Sequence, residues 1–231
     1  MDLSTLEQID RELLLALNGS HSLFADTLMM TFTSAWTWVP LYISLLYVII
    51  KNNENMQQIL LILCSVALCI FLADGISSGL IKPLVGRFRP TQDPMIKYQV
   101  DVVNDYRGGM YGFFSSHAAN TFSICIFLCM VIRNKILTLG LLSWSLINCW
   151  TRIYLGVHYP GDILCGLVWG FVVGMSIYLV YRFLYKRIST DMNFVSSQYT
   201  STGYALLDID IILSVLMLTY MYALMRATIF I

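Results

Sequence analysis

Six long apolar runs, broken by short polar blocks, constrain this chain more than any other feature. A bilayer core needs roughly 20 residues of helix, within about 17–25, and the runs near 27–50, 57–81, 117–133, 136–154, 162–183 and 206–227 all approach that length. The chain is 58% hydrophobic and 12% charged, with mean hydropathy +0.70. A soluble domain carries about 25% charged residues, a deficit no globular core explains. The expected fold is all-α: a polytopic membrane helix bundle with six transmembrane helices and a short N-terminal amphipathic helix. No internal repeat or low-complexity segment divides it, so residues 1–231 read as one integral-membrane domain. The formal net charge is zero, which leaves no long-range attraction for nucleic acid.

Residues 1–26 lack the basic start and small-residue cleavage site of a signal peptide. Leu6, Ile9, Leu13 and Leu17 recur at helical spacing opposite Glu7, Asp10, Arg11 and Glu12, which predicts an amphipathic helix on the membrane surface. Ser4 followed by Glu7 fits a capping box, and Asn18-Gly19-Ser20 matches a glycosylation acceptor. His21 follows that turn and reads as a solvated loop histidine. Trp36, Trp38, Tyr42, Tyr47, Trp144, Trp150, Tyr178 and Tyr181 fall mostly toward span ends, as an interfacial belt would place them. Cys64, Cys69, Cys125, Cys129, Cys149 and Cys165 lie inside apolar runs and read as small buried hydrophobes.

Six alternating spans bring the N-terminus, the 82–116 loop, the 152–161 loop and the C-terminus to one side. The other side receives Lys51, Arg133, Lys135, Arg182, Lys186 and Arg187 at or beside span ends. Positive-inside counting puts those six in the cytoplasm and the first side outside.

That outer side collects the polar blocks that could carry chemistry. They are Lys82-Pro83-Leu84-Val85-Gly86-Arg87-Phe88-Arg89-Pro90, then Phe114-Ser115-Ser116-His117, then Thr151 to Asp162 with Arg152 and His158. Lys82 ends the second span, His117 opens the third, Arg152 closes the fourth and Asp162 opens the fifth, so alternating direction cancels their separation in sequence. Lys82, Arg89 and Arg152 repel one another unless an anion joins them, and Arg forks match phosphate oxygens. Snorkelling to lipid head groups is the alternative for each cation alone. His158 and Asp162 are four apart. A carboxylate there would fix the imidazole tautomer that leaves one nitrogen free to attack phosphorus, though Asp162 could also simply cap a helix.

These blocks read Lys-x6-Arg-Pro, Ser-Ser-His and Thr-Arg-x5-His-x3-Asp, a trio that resembles the type 2 phosphatidic acid phosphatase superfamily of integral-membrane lipid phosphatases, which shares its site with vanadium haloperoxidases. The resemblance spans about residues 74–165. It implies that His158 is the nucleophile forming a phosphohistidine, that Asp162 orients it, and that His117 protonates the leaving oxygen and then activates water. It implies phosphate binding by Lys82, Arg89, Ser115 and Arg152, with a backbone amide from Ser116 where the family has glycine. Phe114 stands for the usual proline and Thr151 for the usual serine. Asp74, eight residues before Lys82, is expected to support a motif cation, and Arg107 to touch a second phosphate or sugar. Asp208 and Asp210, opening the last span, are expected at the interface.

The implied activity is metal-independent hydrolysis of a phosphomonoester or pyrophosphate on a membrane lipid, with no cofactor and no metal ligand set. Undecaprenyl pyrophosphate, phosphatidylglycerol phosphate and a lipid A phosphate are the candidate substrates. A phosphotransferase using an alcohol acceptor, and a non-enzymatic lipid-binding protein, are the competing readings. The partners expected are the lipid substrate and the bilayer, and the location is a bacterial inner membrane with the site facing the periplasm or exterior.

Overall fold

The computed structural model describes residues 2–20, 22–189 and 196–229; His21 lies outside the described residues. All regular structure among them is helical, apart from isolated antiparallel bridges between Phe88 and Tyr111 and between Tyr199 and Ala205. The helices are α1 (Leu3–Leu17), α2 (Leu23–Thr33), α3 (Val39–Lys51), α4 (Met56–Val85), α5 (Ser116–Ile132), α6 (Lys135–Tyr154), α7 (Pro160–Ile188) and α8 (Leu206–Ile229). Of these, α4, α6, α7 and α8 are long and apolar enough to cross a membrane. The expected straight span at 27–50 is instead α2 and a chain from Ala35 to Lys51, bent by 67°. Counting that pair as one crossing gives five among the described residues, and α5, an apolar helix of 17 residues, stands at the lower edge of the spanning length.

The bend has a local cause. Ser34 takes an extended backbone (ψ 125°) and ends α2. The carbonyls freed there are satisfied by side chains just downstream: Thr37 Oγ1 donates to Thr31 O at 2.6 Å and Trp38 Nε1 to Phe32 O at 2.8 Å. Pro40 then sits in the first turn of α3, where a missing N–H costs nothing. Trp38 and Trp144, with Tyr178 and Tyr181, are consequently core residues rather than an interfacial belt; Trp36, Tyr42, Tyr47 and Trp150 do face outward.

The seam that matters for the site joins α5 to α7. Gly166, Gly170 and Gly174 recur every four residues along one face of α7. A Cβ on them would lie 2.7, 2.7 and 2.6 Å from the backbone oxygens of Ser115, Ala119 and Ser123. Small residues at that spacing let two backbones approach closely in a bilayer.

Helix α1 uses both of its faces. Leu6, Ile9, Leu13 and Leu17 stay uncovered by protein, as a membrane-surface helix requires, while Leu14 is fully buried in a cluster with Ile96, Val100, Ile153 and Tyr159. The helix starts at Leu3, and the amides of Thr5 and Leu6 reach the carbonyl of Asp2. Ser4 therefore lies in the first turn and does not head the capping box expected of it. Asn18 is no free acceptor either: its Nδ2 donates to the carbonyl of Tyr154 at 2.7 Å and its Oδ1 accepts from Asp101 N at 2.7 Å.

At the opposite end of the bundle Asp208 is buried among protein groups, where Lys51 (2.7 Å) and Asn52 (3.0 Å) hold its two oxygens. Asp210 is exposed. The cysteines are free; Cys69, Cys125 and Cys149 are buried, whereas Cys64 and Cys165 face outward from the bundle.

Candidate active site

The three polar blocks meet at one end of the bundle. Lys82 Nζ donates to Ser116 Oγ at 2.5 Å, which links the end of α4 to the start of α5. The amide of Ser115 donates to the carbonyl of Asp162 at 3.1 Å, tying α5 to the start of α7. Arg89 Nη1 donates to the carbonyl of Val157 at 3.3 Å, bringing the loop after α4 to the loop before α7. His117 lies within electrostatic reach of Arg152, His158, Arg89 and Lys82.

The last turns of α4 are built for this junction. Between Ser77 and Ile81 the helix widens into a π turn, a feature that often marks functional sites. Lys82 Nζ also donates to Ser78 Oγ at 3.1 Å, and Ser78 Oγ donates to Asp74 Oδ1 at 2.9 Å. Asp74 thus reaches Lys82 through Ser78. Ser116 Oγ donates in turn to Ser77 Oγ (3.0 Å), which donates to the carbonyl of Phe114 (2.9 Å). Ser116 occupies the first helical position of α5, so a side chain where the family has glycine meets no backbone penalty. Ser115 caps that helix, accepting from Ala118 N at 3.4 Å, and is fully buried.

Asp162 is the hinge of the third block. Its Oδ2 lies 3.4 Å from His158 Nδ1 and accepts the amide of Tyr159 at 3.1 Å. It is fully buried and also caps the start of α7 by accepting the Tyr159 amide, so the cap and the histidine partner are the same carboxylate. The histidine contact is long for a hydrogen bond; such contacts commonly tighten only with substrate. With Nδ1 as the donor, Nε2 carries the free lone pair. Burial lowers the His158 pKa to about 4, against the opposing pull of Asp162 and with help from Arg89 and Lys82. The ring is therefore neutral at neutral pH.

The cations crowd one another. Arg89 is lowered from the ordinary arginine value by burial and then by Arg152. Its Nε is held by the carbonyl of Tyr111 at 3.1 Å, and Gly108 presses so close that a Cβ there would sit 2.4 Å from Arg89 Nη1. Arg152 is buried, with Nη1 on Tyr106 Oη at 2.8 Å and Nη2 on Thr33 Oγ1; its Nε is buried without a partner. An arginine kept dry with an unused donor has room for one more acceptor. Arg107 donates to the carbonyl of Thr91 at 3.4 Å from an exposed position on the loop, one residue before the Gly108 that packs on Arg89.

Sequence reading missed Arg87, Asp10, Tyr106 and Thr33. Arg87 Nη1 binds Asp162 Oδ1 at 2.8 Å and Nη2 binds Asp10 Oδ2 at 2.7 Å. Its charge is favoured above the ordinary arginine value, since Asp162 and Asp10 outweigh the burial that works against it. Its place two residues before Arg89 was a usable signal. Nothing in sequence singled out Thr33 or Tyr106, because their proximity to Arg152 follows from how α2 and the loop fold back.

Two histidines, a buried carboxylate and crowded cations, gathered at one end of a helical membrane protein, form a site suited to an anion that must be attacked and released. Residues 58–188 match the PAP2 superfamily, and the chain belongs to that family. The match runs through α4 to α7 and so contains all three polar blocks. Over 187 residues the chain is 41% identical to a lipid A 4′-phosphatase of Bacteroides thetaiotaomicron, covering 80% of this chain and 83% of that protein. Over 180 residues it is 34% identical to a lipid A 4′-phosphatase of Porphyromonas gingivalis, covering 78% and 76% of the two chains. No solved structure matches it.

Proposed function

We propose that this integral-membrane lipid phosphatase removes the 4′-phosphate of lipid A through a phosphohistidine on His158, without a metal or cofactor. The observation that carries the mechanism is the pairing of a buried, neutral His158 with Asp162 Oδ2 beside Arg89 and Lys82. The substrate reading rests on the two relatives named above, each similar over more than three quarters of its length.

In this reading the substrate phosphate sits among Arg89, Arg152 and Lys82, with the Ser115–Ser116 turn at the start of α5 beside it. His158 Nε2 attacks phosphorus, and the bond from phosphorus to the 4′ oxygen breaks as His117 gives that oxygen a proton. Asp162 holds the imidazolium formed at His158. His117, now neutral, takes a proton from water. The water oxygen attacks the phosphoryl group, the P–N bond breaks, and inorganic phosphate leaves. Each partner ends in its starting protonation state.

Lys51, Arg133, Lys135, Arg182, Lys186 and Arg187 lie at the far end of the bundle. Their number favours a cytoplasmic location for that end. The whole chain then acts as one domain in a bacterial inner membrane, with substrate reaching His158 from the periplasmic leaflet.

The test is phosphate release by purified protein from lipid A, undecaprenyl pyrophosphate and phosphatidylglycerol phosphate in mixed micelles containing EDTA. Lipid A is expected to lose one phosphate, from the 4′ position, and the His158→Ala protein to release none. Turnover of another lipid in preference to lipid A would remove the substrate assignment. Activity in His158→Ala would remove the phosphohistidine.

A further inference from the structure

We infer that Arg87 is a positioning residue for this reaction and that Asp10 makes the N-terminal helix part of the catalytic assembly. Arg87 pins Asp162 Oδ1 so that Oδ2 is presented to His158, and Asp10 pins Arg87. The inference rests on the phosphohistidine reading above.

A carboxylate orients an imidazole only if its own rotation is stopped. Asp162 Oδ2 is shared between His158 Nδ1 and the amide of Tyr159, and Arg87 Nη1 occupies Oδ1 at 2.8 Å. Arg87 cannot swing away, because Nη2 is on Asp10 Oδ2 at 2.7 Å and the guanidinium lies 4.1 Å from the centre of the Tyr159 ring. Asp10 is fixed in turn by the amide of Gly161, which donates to its Oδ1 at 2.7 Å. Gly161 is where it must be, since a Cβ there would lie 2.7 Å from Asp10 Oδ2. The next residue of α1 repeats the arrangement with opposite charge. Arg11 pairs with Asp93 at 3.4 Å, and Asp93 accepts from Tyr159 Oη at 2.7 Å. Two adjacent residues of one surface helix thus close on the turn that carries His158 and Asp162. A snorkelling arginine would reach for head groups; this one is spent on two carboxylates, with its side chain 19% exposed.

The charged groups facing His158 are Asp162 from α7, Arg89 from the loop, Lys82 from α4 and His117 from α5. Those facing Asp162 are His158 and Arg87, with Arg89 from the loop and Lys82 from α4 within electrostatic reach, and Arg87 itself meets Asp10 from α1. Arg87 offsets part of the Asp162 charge; without it the carboxylate acts on the imidazole at full charge, which raises the pKa of His158 even as the carboxylate loses its fixed orientation.

The experiment follows the His158 imidazole by NMR titration in detergent, in the full-length wild type and in Arg87→Met, alongside steady-state kinetics on the lipid substrate. In Arg87→Met the His158 midpoint is expected to rise by about one unit. The kcat is expected to fall about 10-fold or more, with KM within about twofold of wild type. Asp10→Ala should move both in the same direction by less. A general loss of structure would instead carry the midpoint all the way to the free-histidine value near 6.5, with KM and melting temperature moving as well. Should Arg87→Met fail to fold, Arg87→Lys reads the same kinetics, because a lysine keeps the charge but cannot bridge both carboxylates. A superimposable titration in Arg87→Met, or wild-type kcat in Arg87→Lys, would overturn the inference. The titration uses no substrate, so a wild type that releases no lipid phosphate would sink the phosphatase reading and leave this result standing.

Discussion

At His158 two effects compete. Burial disfavours the imidazolium, Asp162 favours it, and burial wins, lowering the pKa to about 4. A free histidine titrates near 6.5, so between about 6.5 and 4 the unfolded chain takes up a proton that the folded site refuses. The sign follows: this group's contribution to stability is complete above about 6.5 and is lost as pH falls toward 4. Wild type should lose melting temperature across that window more steeply than His158→Asn, and parallel slopes would contradict the neutral buried ring. Arg152 poses a different question, because its donors are divided among Thr33, Tyr106 and an unused Nε. A lysine there keeps the charge and loses the fork. Since a hydrogen bond to a charged group is worth about 1.5–3 kcal/mol, Arg152→Lys should lower kcat/KM by roughly 10- to 100-fold. Wild-type kinetics in that variant would mean the guanidinium only braces α2 and the loop.

Among the elements, the seam of α5 and α7 sets the distance between the second and third polar blocks. Gly170 faces the backbone oxygen of Ala119, which cannot rotate aside as a side chain would. Even one methyl must push the helices apart, and overpacking of this kind costs about 1–3 kcal/mol. Gly170→Ala should therefore reduce thermal stability and also kcat, because Ser115 and His117 ride on the displaced helix. Gly75 has open space around it, and Gly75→Ala should leave both unchanged. Equal behaviour of the two variants in a melting and turnover assay would remove the seam from the account. The bent pair α2 and α3 shows the converse: there side chains, not glycines, decide the geometry, by capping the carbonyls that the break at Ser34 exposes.

For the whole molecule, the direction in which the site end points sets which membrane face carries the chemistry. Tyr98 lies on the loop at the site end and is 89% exposed, and Ser196 is exposed at the other end. If the site end faces the periplasm, Tyr98→Cys should react with an impermeant thiol reagent in intact spheroplasts and Ser196→Cys only after lysis. The native cysteines lie within the membrane helices, two of them turned outward, so a background measured on the unsubstituted protein belongs in the comparison. The reverse labelling pattern would move the reaction to the cytoplasmic leaflet and leave its chemistry as proposed.

Apolar run length and the spacing of charged residues were enough to read an all-helical membrane protein, and to see that Lys82, His117, Arg152 and Asp162 fall on one end of it. Those properties are local, or follow from strict alternation of direction, and need no packing information. Asp74 was legible too, because positions 74, 78 and 82 share a helix face whatever surrounds them. What packing alone decided was which charge meets which. Asp10 read as a solvated face of an amphipathic helix, and Asp208 as an interfacial acid; each is paired with a cation tens of residues or more away in sequence, at 2.7 Å. The bend after α2 and the burial of Trp38 and Trp144 escaped for the same reason. Hydropathy measures how far a residue prefers to leave water, but lipid and protein interior satisfy that preference alike. Only the tertiary contacts separate a side chain that faces the bilayer from one that faces the site.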